Sequence, residues 1–93
     1  MSNDPNPPEN LHNLLKLAAQ NRWDFRLVNH RDQYGCPFLE LSLLSNGTRI
    51  DATWHTRDTK GYRWWGAIIN GKEAGASLKK VTQIVSSEGE DND

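Results

Sequence analysis

A chain of 93 residues, 35% hydrophobic and 25% charged, makes one domain with a modest core. It has no apolar run long enough for a transmembrane helix, and its single cysteine, Cys36, excludes an intramolecular disulfide or a cysteine-built zinc cluster. The net charge of −1 is unevenly spread: between residues 10 and 86 eleven Lys and Arg meet six acids, leaving +5, while the two ends carry −6.

Residues 1–9 contain three prolines and read as a flexible lead-in. The opening "MSNDPNPPEN" lacks the basic and apolar regions of a secretory signal, and the lone thiol suits a reducing compartment, so a cytoplasmic location is expected. Asn10 is the expected N-cap of a helix running to about Arg22. Leu11, Leu14, Leu15 and Ala18 recur at helical spacing and form its apolar stripe, widened by Leu17.

Alternation replaces helical spacing from "RWDFRLVNHR" onward. Trp23, Phe25 and Leu27 point one way; Arg26, Val28 and His30 point the other. "DQYGCP" turns the chain, and "PFLELSLL" sets Leu39, Leu41 and Leu43 against Phe38, Glu40 and Ser42. Asn46-Gly47 is hairpin chemistry, which also explains the Asn-Gly-Thr sequon. "TRIDATWHTR" opposes Ile50, Ala52 and Trp54 to Arg49, Asp51, Thr53 and His55. After a turn at "DTKG", "YRWWGAII" is the last long strand, ended by Asn70-Gly71. Ser77 caps a second helix whose stripe is Leu78, Val81 and Val85, with Ile84 beside it. Residues 87–93 read as a disordered acidic tail. The expected architecture is α+β: an N-terminal helix, an antiparallel meander of about four strands and a C-terminal helix, within one domain over residues 10–86. Both helices have one apolar face, so both belong on the same side of the sheet.

Successive strand side chains point to opposite faces, so Trp64 and Trp65 cannot both enter one core. The last strand offers either Tyr62, Trp64, Gly66 and Ile68 or Trp65, Ala67 and Ile69 to the helices, with a slight preference for Trp64. The opposite face then carries Arg26, His30, Phe38, Glu40, Arg49, Asp51, Thr53, His55, Arg63 and one indole. Tryptophan and arginine are the side chains most often found as binding hot spots. The expected partner-binding residues are therefore Arg26, His30, Arg49, His55, Arg63 and Trp65.

Catalytic and metal chemistry finds little footing. His12, His30 and His55 are scattered, and no HxxxH pair, carboxylate cluster or Gly-rich phosphate loop is present. His55, near Asp51 and Asp58, reads as a cross-strand partner, and Cys36 as a turn residue. No catalytic residue, metal or cofactor is expected. The alternative is a small nucleic-acid-binding regulator using Arg26, Arg49, Arg63, Lys72, Lys79 and Lys80. A helix opening "SLKK" after strands resembles the double-stranded-RNA-binding domain, although Val81 and Thr82 follow where further basic residues belong. Glu40 and Asp51, on the same face as the arginines, repel phosphate, whose contacts dominate such affinity.

The span from "DATWHTRDTKGYRWW" through "INGKEAGASLKKVTQIV" resembles small accessory proteins of actinobacteriophages, mycobacteriophages especially. The likeness lies in a Trp/Arg-rich hairpin, an Asn-Gly turn and a Ser-Leu-Lys-Lys helix, and covers the C-terminal half. It implies a protein made during infection, in the host cytoplasm, that binds and inhibits or redirects a host protein. Such a protein needs no active site. Separately, no membrane partner is expected, and a homodimer is left open.

Overall fold

The first helix shows how the chain delivers its core residues. In the computed structural model, which describes residues 6–56 and 61–90, α1 spans Glu9–Gln20 and buries Leu11, Leu14 and Ala18. The extended residue before it is Pro8, so Asn10 is not the cap but lies in the first turn. There its Oδ1 accepts the Nε1–H of Trp54 at 2.9 Å. A buried indole N–H requires an acceptor, and this demand outweighs the capping preference of asparagine. At the other end Arg22 adopts φ +62°. Its N–H bonds to the Ala19 carbonyl at 3.3 Å, and the Trp23 N–H bonds to that of Ala18 at 2.9 Å. This is a Schellman closure with arginine in the left-handed position usually held by glycine. It turns the chain so that the Trp23 side chain is buried.

Five strands follow in sequential order: β1 (Asp24–Arg31), β2 (Pro37–Ser45), β3 (Thr48–His55), β4 (Arg63–Ile69) and β5 (Glu73–Ala74). All neighbours are antiparallel. Asn46 (φ +49°) and Gly47 (φ +83°) form the β2–β3 turn as their sequence requires. The "DTKG" turn, apart from Gly61, lies outside the described residues. Asn70-Gly71 does more than end β4: the Lys72 N–H bonds to the Ile69 carbonyl at 3.1 Å, and the chain returns as the short β5. The last element, α2, spans Leu78–Glu90. Ser77 caps it through its Oγ, which accepts the Lys80 N–H at 3.1 Å. No proline interrupts the helix, and it continues through Glu90 into the stretch expected to be a disordered tail.

The helices cover one face of the sheet, giving the two-layer α+β fold. Leu11, Leu14, Ala18, Val81 and Val85 close over Leu39, Leu41, Leu43, Ile50, Ala52 and Trp54. Trp23 donates its Nε1–H to the Val85 carbonyl at 3.0 Å and so ties the entrance of β1 to α2.

Two expectations about this core need correction. Phe25 and Leu27 share the face of Leu43 and Leu41, their partners in register, as the alternation requires. They are nonetheless 49% and 39% exposed. β1 is the outermost strand, and the helix layer closes over the strands inside it. The two options for β4 also turn out not to exclude each other. Trp64 pairs with Trp54, whereas Gly66 pairs with Thr53 and Ala67 with Ala52, so Trp65 is an extra residue in a β-bulge. Before the bulge Tyr62 and Trp64 face the helices; after it Ala67 and Ile69 do.

Candidate binding face

The bare side of the sheet is organised in rows, because residues opposite each other on antiparallel strands share a face. One row begins with His30, Phe38 and His55, in register on β1, β2 and β3. Their rings stack with centroids 5.1 Å apart at each step. The bulge sets Trp65 at the end of the row, its ring 5.0 Å from that of His55. Strand pairing and the bulge thus build a four-ring ladder across four strands.

Carboxylates brace the ladder. His30 Nε2 lies 3.0 Å from Glu40 Oε1. His55 Nδ1 accepts the Thr56 N–H at 2.9 Å, which leaves its proton on Nε2, 3.4 Å from Asp32 Oδ2. The other oxygen of Asp32 accepts the N–H groups of Tyr34 and Cys36, at 2.8 and 2.9 Å. A single carboxylate therefore shapes the β1–β2 turn and faces the ladder's third ring. Asp51 accepts from Ser42 Oγ at 2.9 Å and from Arg49 Nε at 3.2 Å.

Of the expected partner residues, Arg26, Arg49 and Arg63 are exposed on this face, and His30 is half-buried. Trp65 is 52% exposed. His55 departs from expectation: it shares the face but is only 6% exposed, flanked by Phe38 and Trp65 with Asp32 at its edge. It supports the surface without forming it. The basic set divides. Arg26, Arg49 and Arg63 stand on the bare face, Lys72 sits in the β4–β5 turn, and Lys79 and Lys80 begin α2 in the helix layer.

Two contributors escaped the sequence reading. Asp32 was visible only as the first residue of a turn. Ile68, 42% exposed, was one of two options for the core. With Trp65 it borders a shallow hollow of about 300 Å3 that also touches Glu40, Asp51 and Thr53. Gly66 lies between the two apolar side chains at φ +151°, a conformation that favours glycine, and its missing side chain leaves the hollow open.

Among the described residues, no three His, Cys, Asp or Glu side chains converge as a metal site requires. No helix of the described residues is long and apolar enough to cross a membrane. Compared with protein-family models, curated proteins and solved structures, the chain matches none of them.

Proposed function

We propose that this is a non-enzymatic binding protein that recognises another protein through the bare sheet face, with Trp65 as its anchor. In keeping with the phage-like Trp/Arg hairpin, the partner is a host protein in the host cytoplasm, which the accessory protein inhibits or redirects. The observation that carries this reading is the state of Trp65. Its indole is half exposed, yet it rests against His55 at the end of a stacked row. A large aromatic already held in place loses little freedom when a partner covers it. Arg63 and Ile68 beside it add a charge and apolar surface.

Binding is favoured over catalysis by the engagement of His55. A general base needs an available lone pair, and its Nδ1 already accepts the Thr56 N–H. Nucleic acid remains a second reading because three arginines share the face. Against it, the ladder rings stack on one another rather than offering their faces to bases. Glu40 and Asp51 stand among the arginines.

The test is capture from actinobacterial lysate, treated with nuclease, by the wild type and by Trp65→Ala. The captured protein should be lost with Trp65→Ala, whose affinity should fall about 30-fold, equivalent to about 2 kcal/mol. Nuclease-sensitive capture, or affinity that collapses between low and moderate salt, would favour nucleic acid instead. Undiminished capture by Trp65→Ala would remove this face from the function.

A further inference from the structure

The two edges of the sheet are built differently. On one side the chain adds only the two-residue β5, too short to template another strand. On the other, all eight residues of β1 pair with β2 in unbroken register, and among the described residues no strand pairs with its outer side. It carries no lysine, no proline and no bulge, and the outward-bonding residues at its centre, Phe25, Leu27 and Asn29, are uncharged, its charges being Asp24, Arg26 and Arg31.

Hydrogen bonding fixes which groups this edge presents. The Asp32 N–H bonds to the Cys36 carbonyl at 3.0 Å, and bonded pairs recur every second residue. His30, Val28 and Arg26 therefore direct their backbone groups at β2. Phe25, Leu27 and Asn29 direct theirs outward, and the side chains of Phe25 and Leu27 are the ones the helices leave exposed.

We propose that β1 pairs with β1 of a second copy, antiparallel about a two-fold axis at Leu27, joining two five-stranded sheets into one. In this register Leu27 meets Leu27, Phe25 meets Asn29 and Asn29 meets Phe25, and each of these residues turns its backbone donor and acceptor outward. On the bare face Asp24 meets His30 and Arg26 meets Val28, so no like charges stand opposite each other. Phe25 and Leu27 of both copies merge into one apolar strip on the helix side. Moving the centre to Asn29 puts Leu27 opposite Arg31 and breaks the strip; moving it to Phe25 shortens the ladder. The strand is thus complementary to itself in charge, apolar surface and hydrogen bonding. The pairing does not involve Trp65, which stays open to a different partner.

The full chain tests this by light scattering across a concentration series together with amide exchange. The mass should rise from one chain to two. The amides of Phe25, Leu27 and Asn29 should slow about tenfold or more over the same range, while those of Arg26, Val28 and His30 are protected throughout. Leu27→Lys, which sets two lysines face to face, should keep the folded circular dichroism and remain a monomer. A wild type that stays monomeric with those three amides exchanging freely overturns the proposal, even if a foreign extended peptide can add to the edge. So does a dimer that Leu27→Lys leaves intact.

Discussion

Beneath the helices Trp54, Leu41 and Ile50 lose all contact with water, while on the other face of the same sheet Trp65 and Ile68 remain 52% and 42% exposed. The covered face is ordered by apolar area removed from water. The bare face is ordered by stacked rings and histidine–carboxylate contacts, which bury His55 yet leave Trp65 half exposed. β4 serves both. A bulge lets it place Trp64 on the core and Trp65 outside, and still return Ala67 and Ile69 to the core. A single inserted residue gives this small protein an exposed aromatic seated against His55 while Trp64, Ala67 and Ile69 still reach the core.

Substitutions along this divide should separate the faces by size of effect. Trp54→Ala, at the centre of the covered face, should cost roughly 3–5 kcal/mol and leave little folded protein in a urea titration. Trp64→Ala removes a half-buried ring packed edge-on against Trp54, centroids 5.0 Å apart. It should cost about 2–3 kcal/mol in the same measurement. Gly66→Ala probes the bulge that divides the two indoles. A Cβ there would meet Gly75 Cα at an ordinary 3.6 Å, so the penalty comes from the backbone at φ +151°. A loss of about 1–3 kcal/mol is expected from its melting temperature, with weaker partner binding as Trp65 shifts. Trp65→Ala should cost the least, about 1 kcal/mol or less, while removing most of the binding. Equal destabilisation by Trp64→Ala and Trp65→Ala would erase the distinction between the faces.

Much of the fold was legible because β2 and β3 alternate without ambiguity. Leu39, Leu41, Leu43, Ile50, Ala52 and Trp54 could face only one way, and that choice placed Arg49, Asp51 and Glu40 on the other side. β4 was not legible in the same way. It is apolar on both sides, and its bulge depends on which Trp64 and Gly66 neighbours β3 supplies across the sheet. The exposure of Phe25 and Leu27 was hidden too, since alternation gives a strand's face and not its distance from the helices. Asn10 looked like a cap because local chemistry favours it there; the indole it serves is 44 residues away. For the site, composition revealed the arginines and the spare indole. The burial of His55 required Asp32 and Phe38, brought to it by strand pairing.

The two indole hydrogen bonds also bear on how the chain folds. Every strand pairs with its neighbour in sequence, so the meander assembles from short loops. The bonds from Trp54 to Asn10 and from Trp23 to Val85 span 44 and 62 residues. Closing long loops costs more entropy than closing hairpins, which places helix docking after sheet formation. Phi-values should accordingly be high around the Asn46-Gly47 turn and low at Val85, and a result in the reverse order would contradict this sequence of events. The helices then act as the final latch, and the Trp/Arg face is assembled before the hydrophobic core beneath it is sealed.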